Sequence, residues 1–138
     1  TDPPESPKVM ESDNPSNRDE MIKNAHLGDA KAQYLMGVAY YSGQGVARDN
    51  KEAFEWFTKS AEQGNDDAQA MLGACHLNGL FVKKDPILAY AWYDVAITNG
   101  NEVAEVLIRG IELTPEQLIE AEALSTEIYK RTDANRKN

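Results

Sequence analysis

The chain is written twice. Displaced by 36 positions, it falls on its own residues without a gap. Ala32 lands on Ala68, Gln33 on Gln69, Gly37 on Gly73 and Gly43 on Gly79. Val46 lands on Val82, Asp49 on Asp85, Ala53 on Ala89, Trp56 on Trp92, Gly64 on Gly100 and Asn65 on Asn101. A fixed period of roughly 20–50 residues marks an array of stacked supersecondary units. Such an array needs no single globular core, because each unit buries its face on the next. The two copies are residues 30–65 and 66–101.

Each copy carries two helical patterns. Ala32, Leu35, Met36, Ala39 and Tyr40 recur at the spacing of one helix face, and Ala68, Met71, Leu72, Cys75 and His76 repeat it. The second helix holds Ala53, Trp56, Phe57 and Ala61, then Ala89, Trp92, Tyr93, Ala96 and Ile97. Between them Gly43-Gln44-Gly45 breaks the helix and permits positive φ. Asp49 and Asp85 are placed to cap the second helices, with Pro86 in the first turn. Gly37 and Gly73 stand inside a helix, where glycine costs about 1 kcal/mol against alanine. That repeated cost predicts close approach of a neighbouring helix.

The stretch AKAQYLMGVAYYSGQGVARDNKEAFEWFTKSAEQGN resembles a Sel1-like repeat, a relative of the tetratricopeptide repeat with a longer loop. The motifs that carry the resemblance are A-x-A-Q-Y-x-x-G, G-x-G-V-x-x-D, A-x-x-W and A-E-Q-G-N. It covers residues 30–101 and implies an all-α, right-handed α/α solenoid with a role in protein–protein interaction and no catalytic residues. The second copy departs from the pattern where Leu80-Phe81 replaces Gln44-Gly45, which puts the standard turn of that loop in question. The segment LTPEQLIEAEAL after the last repeat resembles the endings of many bacterial Sel1-like proteins.

The ends are expected to differ from the copies. Residues 1–17 are rich in Pro, Asp, Glu, Ser and Asn and read as a disordered leader. Residues 18–29 read as an N-terminal capping helix, with Ala25 in the register of Ala61 and Gly28 in that of Gly64. Residues 102–131 begin a third unit with Ala104, Leu107, Ile108 and Ile111, but Arg109 stands where the helical glycines stood. Thr114, Pro115 and Gln117 then form a capping box for a last helix. That helix, with Leu118, Ala121, Leu124, Ser125 and Ile128 on one side, is expected to shield the open end of the stack. Residues 132–138 read as a flexible, frayed tail.

The chemistry of catalysis is not written here. Cys75 is the single cysteine, so no intramolecular disulfide forms. It takes Ala39's register on the packed face and reads as a small buried side chain. His76 adjoins it, but neighbours on a helix point about 100° apart and do not share one ligand. Gly43-Gln44-Gly45 lacks the strand and the Lys-Ser/Thr of a phosphate loop. No cofactor and no metal are expected. The net charge of −9 argues against nucleic acid and anionic lipid and suits a basic protein partner. A start at Thr1 ahead of a Pro-rich segment slightly favours an exported or periplasmic protein over a cytoplasmic one, and a piece cut from a larger protein fits it equally well.

A partner site is expected opposite the packed face of the first helices. Tyr34, Val38 and Tyr41 lie there, followed one period on by Ala70, Ala74 and Leu77, and again by Val106, Gly110 and Leu113. These predict three short ladders on the concave surface. Tyr34, Val38, Tyr41 and Leu77 are the candidate centre, and Leu80 and Phe81 a second anchor on the loop edge, under the last helix or open to a partner. The main reading is a non-enzymatic adaptor binding a protein or peptide. The alternatives are a self-associating scaffold and an enzyme acting on cell-wall-like ligands.

Overall fold

The structure, a computed structural model, describes residues 15–136. Seven α-helices follow in chain order: α1 (Pro15–His26), α2 (Ala30–Ser42), α3 (Asn50–Glu62), α4 (Asp66–Asn78), α5 (Pro86–Thr98), α6 (Glu102–Leu107) and α7 (Pro115–Arg136). A 3₁₀ turn at Ile108–Gly110 follows α6, and no strand occurs among the described residues. Most of the expected leader lies outside the described residues, but 15–17 already belong to α1.

The helix starts obey one rule with one spacing. Asp29, Asn65 and Asn101 cap α2, α4 and α6, accepting from the N–H groups of Ala32, Ala68 and Ala104 at 2.8–2.9 Å. Asp49 caps α3 through Lys51 and Glu52, and Asp85 caps α5 through Leu88. Each cap satisfies a backbone donor that the helix itself leaves unpaired. The expected close approach at the helical glycines is present. A Cβ on Gly37 would lie 2.5 Å from the Phe57 ring, and one on Gly73 would lie 2.7 Å from the Tyr93 ring.

The hydrophobic interior runs along the array as clusters. Ala25, Ala32, Met36 and Trp56 close its N-terminal end. Ala53, Phe57, Ala61, Ala68, Leu72, Ala91, Trp92 and Val95 form the middle, where Ile128 of α7 joins them. Ala70, Tyr93, Ala96 and Ala104 follow. Two buried glutamines pin the seams. Gln33 donates to the Ala25 carbonyl and accepts from Gln63, and Gln69 donates to the Ala61 carbonyl and accepts from Asn99. Their polar atoms are paired, as burial requires.

The last helix takes a different course from the expected one. Instead of packing along α6 at the end of the stack, α7 lies along α5 and reaches α3. Ser125 donates to Asp94 at 2.7 Å, and Arg131 makes a two-pronged contact with Glu62 at 2.8 Å. Of the tail expected to fray over 132–138, residues 137–138 lie outside the described residues and 132–136 are the docked end of this helix. Thr132 is fully buried, Asn135 donates to the Glu62 carbonyl, and Arg136 donates to the Gly64 carbonyl. Donors and a cation thus meet the carbonyl end of α3, where the helix dipole favours positive charge. Because α7 turns aside, α6 keeps Val103 62% and Val106 63% exposed.

Candidate protein-binding edge

The expected concave ladder is a seam between repeats. Tyr34 and Val38 are half-buried and pack on the middle cluster, with the Tyr34 ring 5.9 Å from that of Phe57. Burial raises the Tyr34 phenol pKa, and the nearby Asp67 and Asp66 carboxylates raise it further. Leu77 packs on the cluster of Tyr93, Ala96 and Ala104. Ala70 is buried beside Ala104 of α6, and Ala74 packs on the same cluster, so the inner ladder positions are covered at the seam with the next repeat, while Tyr41 and Val106 at its two ends stay exposed. Helix-face spacing places these residues on one side, and the neighbouring repeat decides that this side is packed. Of the six candidate residues, Tyr34, Val38 and Leu77 therefore serve packing.

The loop edge is different. The connections 43–49 and 79–85 each join a first helix to its second helix, so they lie on one edge of the array. There Tyr41 is 39% exposed, with the Arg48 guanidinium 5.8 Å from its ring centre. Phe81 is 52% exposed and Leu80 half-buried. Replacing Gln44-Gly45 did not abolish the turn. Gly43 and Gly45 both sit at φ 76°, and Gly79 and Phe81 keep 70° and 67°. Among the described residues Phe81 is the one non-glycine at positive φ. An L-residue there pays roughly 1–2 kcal/mol because its Cβ crowds the carbonyl oxygen.

Phe54, to which the sequence reading gave no binding role, stands beside it, with His76 in turn against Phe54. The Phe54 ring lies 6.0 Å from Phe81 and, edge to face, 5.9 Å from His76. The signal for Phe54 was its place between the exposed Lys51 and Glu55 of α3, where it stands half-buried against the middle cluster. Burial lowers the His76 pKa below its ordinary value, opposed by the Asp85 carboxylate. Cys75, buried one residue away, has its thiol pushed up to about 11 by burial, which suits a packed side chain rather than a nucleophile. Among the described residues no three His, Cys, Asp or Glu side chains gather where a metal ion would be held, and no helix is long and apolar enough to cross a membrane.

Comparison with known proteins agrees with this architecture. The Sel1 repeat family matches at residues 30–65 and again at 66–101. A protective antigen of uropathogenic Escherichia coli with an SLR fold, c5321, superposes with a TM-score of 0.78 at 34% identity, over 88% of this chain and 27% of its own. A Sel1 repeat protein from Oxalobacter formigenes superposes with a TM-score of 0.67 at 39% identity, over 70% of this chain and 28% of its own. The chain thus spans little more than a quarter of each of these structures. No curated protein sequence matches it. Sel1 repeat proteins generally mediate protein–protein interaction and are typically non-enzymatic scaffolds. With the repeat matched twice and the helices stacked as its relatives stack them, the chain belongs to the Sel1 repeat family and is an all-α solenoid.

Proposed function

We propose that the protein is a non-enzymatic adaptor that holds a protein or peptide on its loop edge, with Phe81 as the central anchor. One observation carries this reading. Phe81 occupies a glycine's place, in a glycine's conformation, with half of its ring in water. Strain of this kind persists at sites where it serves a task other than stability. Phe54, itself backed by His76, stands beside the ring, Leu80 adjoins it in the chain, and Tyr41 with Arg48 extends the edge towards the first copy. Exposed aromatic rings on a rigid support are the residues that dominate binding energies at interfaces.

The partner this edge suits carries an apolar or aromatic side chain for Phe81 and a net positive charge. The chain's charge of −9 speeds encounter with a basic partner, and salt weakens that attraction. Affinity capture from the source cell, with wild type beside Phe81→Ser and Tyr41→Ala, tests the reading. Each variant should melt near the wild-type temperature and weaken the captured partner by about 1–2 kcal/mol or more. Equal capture by wild type and both variants at matched folded fraction would refute it.

A further inference from the structure

Inside the chain one interface occurs twice. Tyr34 of α2 rests on Phe57 of α3 near Asp66 and Asp67 at the start of α4. One period on, Ala70 of α4 rests in the cluster of Tyr93 and Ala104, while Asn101 donates back to Asp66 and Asp67. In each case a first helix fills the angle made by the following two helices.

Among the described residues, the N-terminal end of the array has that angle without an occupant. At the same spacing of 36, Met21 takes the register of Phe57, Asn24 that of Ser60, Asp29 that of Asn65 and Ala32 that of Ala68. Together with Glu20 and Lys31 these residues line an open groove of about 390 Å³ between α1 and α2. The C-terminal end has an occupant without its angle. Val106 of α6 holds the register of Tyr34 and Ala70, the two residues that fill the angle inside the chain, yet it stands 63% exposed beside Val103.

From this we infer that the two ends bind each other between copies, α6 of one chain seating in the α1–α2 groove of the next. The joint continues an interface already present twice, and α6 with the neighbour's α1 completes a third hairpin. The side chains are adjusted for it. Within the copies a glycine faces an aromatic ring, Gly37 to Phe57 and Gly73 to Tyr93. At the joint the sequence period pairs Arg109, in the 3₁₀ turn that follows α6, with Met21, so the larger residue moves to the other side. Glu20 beside Met21 offers Arg109 a carboxylate, and Lys31 lies in the groove that receives Glu102 and Glu105 of α6. The contact joins unlike surfaces, so it does not close on a two-fold axis and each added copy leaves both ends open.

Sedimentation velocity of the full chain across a wide concentration series tests this. Wild type should grow in weight-average mass beyond a dimer as concentration rises. Val106→Glu and Glu20→Arg, both at exposed positions, should each keep the wild-type circular dichroism and weaken association at least about tenfold. Mixed together, they should form a two-chain species and stop there, since one retains an intact groove and the other an intact α6. A wild type that stays monomeric throughout would overturn the inference. So would variants that associate like wild type, or a mixture in which no pair forms. A wild type that associates only after residues 1–14 are removed would also overturn it, since the groove would then belong to the chain's own N-terminal segment.

Discussion

Helices α3 and α5 are one helix written in two copies of the same repeat, and they live in different surroundings. Their inner faces match: Ala53, Trp56 and Phe57 in α3 correspond to Ala89, Trp92 and Tyr93 in α5, all buried. Their outer faces do not. Glu55 and Lys59 of α3 are in water, whereas Ala91 and Val95 at the same register of α5 are fully buried and share a cluster with Ile128 of α7. A repeat therefore fixes the seam between its helices and leaves the outer face free to answer to whatever covers it. The loops that precede the two helices teach the same lesson. One turn is held by Gly45 and the other by Phe81, so geometry is kept while the exposed side chain changes.

Exchanging the outer faces breaks the comparison most severely. Val95→Lys buries an ammonium under α7, and its loss should reach about 3–5 kcal/mol, the range for a buried charge without compensation. The reverse exchange, Lys59→Val, should stay within about 1 kcal/mol, since it gives up only an exposed residue and its cation–π contact 4.4 Å from the Trp56 ring. Urea denaturation of both variants reads the difference, and equal losses would mean that α7 does not cover α5.

The inner faces should respond alike. Gly37→Ala and Gly73→Ala each gain about 1 kcal/mol of helix propensity but drive a methyl group into an aromatic ring. A net loss of about 1–2 kcal/mol is expected for each, larger at Gly37, where the approach is closer. Thermal melts of the two variants check this, and a stabilised Gly37→Ala would show that the seam has room.

A smaller effect separates the copies by pH. His76 stands where the first copy has Tyr40, and its pKa is lowered in the folded chain by burial. The unfolded chain therefore takes the proton first. The stabilisation from neutral His76 is complete above the ordinary histidine pKa of about 6.5 and is lost as pH falls from there through the lower folded value. Melting temperature should drop more steeply between about pH 7.5 and 5 in wild type than in His76→Tyr, because a phenol does not titrate there. Parallel profiles would assign the acid sensitivity to other groups.

Much of the fold was legible because the period of 36 acts on residues whose tasks are local. Caps at Asp29, Asn65 and Asn101, the αL turns and the close approach at Gly37 and Gly73 each depend on a few neighbouring positions. The course of α7 was not legible in the same way. Residues 132–136 are polar, and polarity alone does not distinguish water from the carbonyl end of another helix, which is where Asn135 and Arg136 donate. A clue was present in α5, whose sequence PILAYAWYDVAIT is apolar on both sides and so requires cover on both. The candidate site divided for a related reason. Spacing places Tyr34, Val38 and Leu77 on one helix face, but only the neighbouring repeat decides whether that face is open. Phe81 stood out because it breaks the repeat at a surface turn, where the first copy holds the same conformation with glycine.

The central claim is that Phe81 is held at the loop edge against the chain's own stability. Equilibrium denaturation of Phe81→Gly, which writes the first copy's residue into the second, tests it most directly. Relief of the left-handed strain, set against the added freedom of glycine in the unfolded chain, predicts a stability equal to wild type or up to about 1 kcal/mol higher. A loss of about 2 kcal/mol or more, the size of a core truncation, would make Phe81 a packing residue and contradict the account.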